Sequence, residues 1–289
     1  MVLGGQGSGG RYGTADHHHH GSQRWHRRRR GPPAERQGRA RRLAGRSPAK
    51  TAAVADELGA PYHLADYTDL DQVRALASEL RATYPRIDVL ANNAGGIMGG
   101  REVTKDGFEK TFQVNHLAPF LLTHLLMPTL ITSQAKVLQT SSIAAQRYGH
   151  VDIDDLQNEK NYTPQKAYGT GKLENILFTR ELHRRFHDQG ISAAAFHPGV
   201  VATSFASDTT HLMRYFYHSP FTRLFTISPA QGAEPLVWLA EGTPGRSWQS
   251  GGYYAKTKPA KTNPQADDTH LAQQLWDRSA AMLKPWMVD

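Results

Sequence analysis

The 289-residue chain contains no cysteine. Disulfides and thiolate metal sites are therefore excluded, and the composition suits a reducing, cytoplasmic setting. No metal site is expected. Long apolar runs are also missing. The longest, LAPFLLTHLLMPTLI (Leu117–Ile131), is interrupted by His124 and two prolines and falls short of the ~20 residues that cross a bilayer, so no membrane span is expected. The N-terminus has no apolar core of the kind a secretory leader needs. Acidic residues are scarce at one end only. Residues 1–50 hold 12 Lys+Arg against 2 Asp+Glu, and the other 239 residues hold 22 against 24. The net charge of +8 is thus a property of one segment. It does not mark the rest of the chain as a nucleic-acid binder.

From Leu43 onward, strand-like and helix-like segments alternate. Helical spacing runs through AKTAAVADELG (Ala49–Gly59), through DLDQVRALASELRATYP with Asp69 or Asp71 as its cap, through GFEKTFQVNHLAPFLLTHLLMPTL, and through KAYGTGKLENILFTRELHRRF. Between them lie PYHLAD, IDVLANNAG, AKVLQTSS and ISAAAFHPG, which read as buried strands. This alternation predicts a single α/β domain over 43–289, a doubly wound, Rossmann-like parallel sheet. Ligands on such sheets bind at the carboxyl ends of the strands. Those ends carry the unusual residues of this chain: NNAGG, TSSIAA and HPGVVAT. The long aromatic segment Ser204–Ser228 has no clean period and reads as a lid over the substrate side.

Tyr168 and Lys172 are four apart in AYGTGKLENIL, so a helix presents both on one face. An ammonium beside a phenol favours the phenolate and brings its proton into use near neutral pH. Alone, this spacing would be an incidental pair. Ser142 ends the preceding strand, where a hydroxyl can polarise a carbonyl, while either Ser141 or Ser142 could instead cap a turn. Asn115 places an amide inside a helix, a poor position for it. Asn92–Gly95 (NNAG) ends a buried strand, where glycine lets backbone approach a flat ligand. His197–Thr203 (HPGVVAT) forms a proline-stiffened loop followed by a hydroxyl.

Taken in this order, N-N-A-G, the helical N-H-L, S-S, Y-x-x-x-K and P-G-x-V-x-T resemble the short-chain dehydrogenase/reductase family. The 26-residue step from Ser142 to Tyr168 is most similar to its retinol-dehydrogenase-like branch. The resemblance implies an oxidoreductase that passes hydride between NADP(H) and the carbonyl or alcohol of a small lipophilic molecule. It implies Tyr168 as proton donor, Lys172 as the cation that acidifies it and binds the nicotinamide ribose, and Ser142 on the substrate oxygen. Asn115 would anchor a water leading from Lys172 to solvent. Asn92 and Gly95 would line the cofactor, Asp66 would contact the adenine, and Pro198, Gly199, Val201 and Thr203 would meet the carboxamide and phosphates. Gly171 departs from the serine usual in relatives. Arg46, at the end of the second strand, suits the 2′-phosphate of NADP, with NAD(H) as second choice. Family habit adds a homodimer or homotetramer.

One part of the pattern is missing. The family needs a first strand and a T-G-x-x-x-G-x-G turn that opens a helix onto the pyrophosphate. Near residues 17–28 stands HHHHGSQRWHRR instead. GGQGSGG (Gly4–Gly10) lies too early, with no strand expected before it. The genetic code offers an explanation. Read one nucleotide later, Trp25-His26 forces glycine, His26-Arg27 forces Ile or Thr, and His20–Glu35 can read TGASDGIGAAAARRL. Residues from about Gly13 to Arg42 are therefore read as frame-shifted, residues 1–42 are expected to be irregular, and the first strand and its glycine turn are expected to be absent. An engineered tag, a histidine metal tract and a nucleic-acid arm are the competing readings. The alternative function is a catalytically silent relative of the fold that binds a ligand or partner, because the phosphate-binding motif is absent.

Overall fold

The computed structural model describes residues 2–6, 39–199 and 228–287. Eight strands form one sheet: β1 (Val2–Gln6), β2 (Arg39–Gly45), β3 (Tyr62–Leu64), β4 (Val89–Asn92), β5 (Lys136–Thr140), β6 (Ser192–His197), β7 (Gly252–Ala255) and β8 (Lys258–Pro259). Their spatial order is β3-β2-β1-β4-β5-β6-β7-β8. β2 and β3 pair in parallel, as do β4 to β7 in succession. Helices α1 (Pro48–Leu58), α2 (Leu70–Thr83), α3 (Lys110–Ser133) and α4 (Pro164–Phe186) precede α5 (Pro229–Glu241) and α6 (Thr269–Leu283). The expected doubly wound α/β architecture is present.

Strand periodicity divides the core. Leu90, Val137, Ala193 and Ala195 face the larger cluster, built with α2, α3, α4 and α6. Ala91, Leu138, Ala194 and Phe196 point to the opposite face, against Leu239 of α5 and Trp248. Burial on both faces explains why these strands read as continuous apolar runs. Capping residues set the helix starts: the Asp69 carboxylate accepts from the N–H groups of Asp71 and Gln72, and Thr163 Oγ1 accepts from Lys166 N. Pro164 at the first position of α4 lacks an N–H that would be unpaired there anyway.

Two expectations need correction. The apolar stretch of α3 is not too short to span a bilayer. The helix runs unbroken over 24 residues, but 78% of its most apolar window is buried among protein. It is apolar all round because it is a core helix. The second correction concerns the N-terminus. The slot between β2 and β4 is filled: β1 occupies it, pairing with both, and β2 begins at Arg39. A central gap would orphan the backbone N–H and C=O groups of both neighbours, and any short apolar segment that fills it recovers them. Residues 7–38, which carry the histidine and arginine runs, lie outside the described residues, as does 204–227 of the expected lid.

β1 runs antiparallel to both neighbours. Val2 pairs with Leu43 near the carboxyl end of β2, and Gln6 with Arg39 at its amino end. The strand therefore ends at the edge opposite the carboxyl ends of β2, β4, β5 and β6. The residues that follow Gln6 lie outside the described residues.

Candidate functional site

The helical ladder of α3 widens into a π-turn at Gln113–Leu117. Such turns collect at functional sites. Asn115 sits in it, fully buried. Its Oδ1 accepts from Gly96 N at 3.1 Å, and its Nδ2 donates to Gly96 O and Thr111 O, both at 2.9 Å. The amide thus pins the loop after β4 to α3. Both amide hydrogens are used on protein carbonyls, so any water it anchors must meet Oδ1 or the backbone.

Gly95 explains why that loop is glycine. Its φ is +152°, and a Cβ there would lie 2.5 Å from Asn115 Oδ1 and 2.9 Å from Lys172 Nζ. Lys172 is buried and donates to Thr140 O at 3.1 Å. Its ammonium stands 5.6 Å from the centre of the Tyr168 ring. Loss of hydration disfavours the buried charge and lowers the Lys172 pKa to about 8. The Tyr168 ring packs against Ile97 and Ala144. Ala144 opens a single helical turn, and its N–H donates to Ser142 Oγ at 3.2 Å. Ser142 is half-buried, on the same turn that touches the tyrosine ring.

The two serines have different surroundings. Ser141 is buried, donates to the carbonyl of Lys172 at 2.7 Å, and through its own N–H bonds Phe196 O at 2.7 Å. Sequence alone could not separate it from Ser142. Asn175 was also missed. One turn beyond Lys172, its Nδ2 donates to Thr140 O at 3.3 Å, the same carbonyl that takes the ammonium. Its i,i+3 spacing from Lys172 was the available signal. Gly169 has no room for a Cβ, which would fall 2.8 Å from Ala144 O. That contact sets how closely α4 approaches the serine turn.

A groove of about 290 Å³ runs beside this cluster, lined among others by Gly45, Arg46, Lys50, Asp66, Gly95 and Gly96. Arg46 and Lys50 are both exposed at its rim. The Asp66 carboxylate is held by Thr68, whose N–H and hydroxyl both donate to Oδ1 at 2.9 Å. Cations at one end and a glycine floor beside Lys172 at the other fit the adenosine and nicotinamide-ribose ends of a dinucleotide. Among the described residues no glycine turn stands between these two ends. Asn92 does not line the groove. It is buried and donates to Thr123 Oγ1 of α3 at 2.9 Å. Pro198 and Gly199 follow β6, with Gly199 at φ +92° and its N–H on His197 Nδ1. Val201 and Thr203 lie outside the described residues.

Residues 35–213 match the family model for short chain dehydrogenase. The chain is 41% identical over 253 residues to a Streptomyces sp. (strain C5) protein assigned as a daunorubicin C-13 ketoreductase, covering 85% of this chain and 84% of the relative. It is 37% identical over 222 residues to retinol dehydrogenase 14 of Homo sapiens, across 75% of this chain and 65% of that protein. The crystal structure of an uncharacterized protein from Mycobacterium paratuberculosis superposes with a TM-score of 0.66 at 28% identity, covering 84% and 83% of the two chains.

Proposed function

This chain belongs to the short-chain dehydrogenase family, whose members are oxidoreductases, and from that premise we propose that it interconverts a carbonyl and an alcohol of a small lipophilic substrate with NADP(H). The observation that carries the reading is the buried Lys172 ammonium, held 5.6 Å from the Tyr168 ring at the carboxyl edge of the sheet. NADP(H), when bound, supplies or removes the hydride.

In the reducing direction the chain's own groups manage the proton. The Tyr168 hydroxyl gives its proton to the carbonyl oxygen as negative charge develops there. The Ser142 hydroxyl donates to the same oxygen. Lys172, anchored on Thr140 O, stabilises the phenolate left on Tyr168 and takes the ribose hydroxyls. Asn115 holds Gly95 and Gly96 in place, which keeps the floor of the site free of side chains. Arg46, with Lys50 in the same groove lining, supports NADP(H) over NAD(H), because two cations, one after β2 and one in the first turn of α1, suit a 2′-phosphate. The named relatives are a retinol dehydrogenase and a protein assigned as a daunorubicin C-13 ketoreductase, which supports a lipophilic substrate. The segment 204–228 is assigned as its cover. A cytoplasmic setting and a homodimer or homotetramer complete the reading; light scattering on the purified protein tests the assembly.

A second reading is favoured by one observation, the antiparallel β1. Because β1 (Val2–Gln6) runs away from the carboxyl edge of its neighbours, the chain would be a silent relative that binds a ligand or partner. The same feature supports assigning residues from about Gly13 to Arg42 to a frame-shifted segment. The deciding experiment is an NADPH fluorescence titration of two proteins: the chain itself, and a frame-restored chain whose residues 13–42 are replaced by the reading one nucleotide later. Saturable binding and carbonyl reduction by the restored chain alone support both the enzyme and the frame shift. No NADPH binding by the restored chain refutes the enzyme.

A further inference from the structure

α4 ends away from the groove, on two histidines one turn apart. The N–H of His187 donates to the carbonyl of His183 and closes the last turn. Residues at this spacing share a helix face, and the two rings lie 4.5 Å apart, centre to centre, tilted by 43°. One ion shared by two imidazoles, about 2.0–2.1 Å from each nitrogen, sets the ring centres roughly 5 Å apart. The observed spacing is close to that.

Each ring is anchored through its Nδ1. His187 Nδ1 bonds the carbonyl oxygen of Ile191 at 3.1 Å. A carbonyl only accepts, so Nδ1 carries the hydrogen and Nε2 keeps its lone pair. His183 Nδ1 lies 2.9 Å from Ser250 Oγ, which also accepts from Ala193 N at 3.0 Å. The serine oxygen has a second lone pair for His183 Nδ1–H. Among the described residues neither Nε2 makes a hydrogen bond. Metal-ligating histidines are held in this way, one ring nitrogen on a protein oxygen and the other on the ion.

The anchors are fixed by the fold. Ile191 is buried, and its N–H donates to Phe186 O at 3.1 Å. A Cβ on Gly251, at φ +83°, would come within 3.1 Å of the His183 ring, so the turn before β7 lies against that ring. His183 is half-buried and His187 exposed, which sets the pair at the surface.

The surrounding charge suits a cation. Burial, and the His187 ring beside it, lower the His183 pKa, which favours the neutral form that ligates. The neighbouring guanidinium groups are already paired, Arg184 with Glu181 and Arg185 with Glu181 and Asp277. Asp188 adds a negative charge that acts on His183, and the C-terminal end of a 23-residue helix favours positive charge. No third His, Cys, Asp or Glu joins the pair among the described residues, so water fills the other coordination positions.

We propose that His183 and His187 form a surface site for one divalent late transition-metal ion of the zinc, nickel and copper class, held by both Nε2 atoms. Imidazole suits these ions, whereas magnesium and calcium prefer oxygen ligands. The ion clips the end of α4 about three turns beyond Lys172, beside the amino ends of β6 and β7. The site is therefore separate from the groove.

The test is urea unfolding of the full chain with and without zinc chloride. Zinc held by the pair needs the folded helix, so it should raise the unfolding midpoint. His17–His20 can also take up zinc, but adjacent histidines do so equally in an unfolded chain, and uptake there leaves the midpoint unmoved. His187→Gln, at an exposed position, should need at least roughly tenfold more zinc for the same rise, since losing even an outer-shell partner costs that much. Nickel should act as zinc does, and magnesium should have no effect. A midpoint that ignores zinc overturns the proposal, as does an equal rise in His187→Gln or with magnesium. Neither cofactor nor substrate enters the measurement, so its outcome is independent of the oxidoreductase reading.

Discussion

Ser141 donates its hydroxyl hydrogen to the backbone carbonyl of Lys172 across 2.7 Å, tying the end of β5 to the turn of α4 that carries the ammonium. Lys172 and Asn175 return two bonds to Thr140 O. Strand end and helix are thus stitched three times within four residues of each chain segment. Ser142, the next residue, is left half-buried, its hydroxyl accepting from the N–H of Ala144.

This division of labour predicts opposite outcomes at adjacent serines. Ser141→Ala leaves a buried carbonyl short of a donor and should cost about 1–2 kcal/mol in urea unfolding. Turnover in the frame-restored chain should fall only modestly. Ser142→Ala should leave stability within about 0.5 kcal/mol while lowering kcat by roughly 10²-fold. Equal effects of the two substitutions on both measurements would mean that the roles are not separate.

A methyl group at Gly95 would collide with Asn115 Oδ1 and Lys172 Nζ at once, at a backbone angle few side chains adopt. Gly95→Ala should therefore lower stability by about 1–3 kcal/mol and abolish measurable NADPH binding by the frame-restored chain. The neighbouring Gly100 meets nothing within 4 Å, so Gly100→Ala is the control and should bind as the parent does.

Much of this site was legible before any coordinates, for identifiable reasons. Tyr168 and Lys172 share a helix face because four residues make about one turn. Ser142 and Gly95 fall at strand ends because the strands are apolar on both faces and stop abruptly. Long-range contacts were not legible. Nothing local says that the Asn92 amide turns to Thr123 of α3 and away from the groove. The buried Glu174 reads in sequence as an ordinary polar position on an amphipathic helix. β1 was missed because Val2–Gln6 has too little pattern to announce a strand, and its place is decided by the backbone groups that β2 and β4 leave open. The far C-terminal helix α6 was not singled out, although Trp276 stacks on Phe178 of α4 at 5.4 Å.

The Lys172 ammonium carries a pH signature. Burial lowers its pKa to about 8, whereas an unfolded chain keeps a lysine proton up to about pH 10.4. Between those values the unfolded state binds a proton that the native state lacks, so unfolding free energy rises with pH. Below the window both states are charged, and the penalty of burying the charge is constant. The unsubstituted protein should gain about 2–3 kcal/mol relative to Lys172→Met between about pH 7 and pH 10. Chemical unfolding at a series of pH values measures this. A flat difference would mean that the ammonium is hydrated in the native protein.

On the proposed function, cofactor choice falls to the rim of the groove, which Arg46 after β2, Lys50 in the first turn of α1 and Asp66 all line. A 2′-phosphate there gains charge-assisted hydrogen bonds from a guanidinium, and a ribose hydroxyl gains little. Both cations are exposed, so the preference is screened by salt. Arg46→Asp replaces attraction with repulsion and offers the 2′-hydroxyl an acceptor. In the frame-restored chain it should shift the ratio of NADPH to NADH affinity by about 10–100-fold toward NADH, a change of about 1.4–2.7 kcal/mol. Lys50→Ala should move it in the same direction by less. In the unsubstituted rim, added salt should weaken NADPH binding more steeply than NADH binding, and Arg46→Asp should remove that difference. Fluorescence titrations with both nucleotides at two ionic strengths measure all of this. A ratio unmoved by Arg46→Asp would place the 2′-phosphate away from the end of β2.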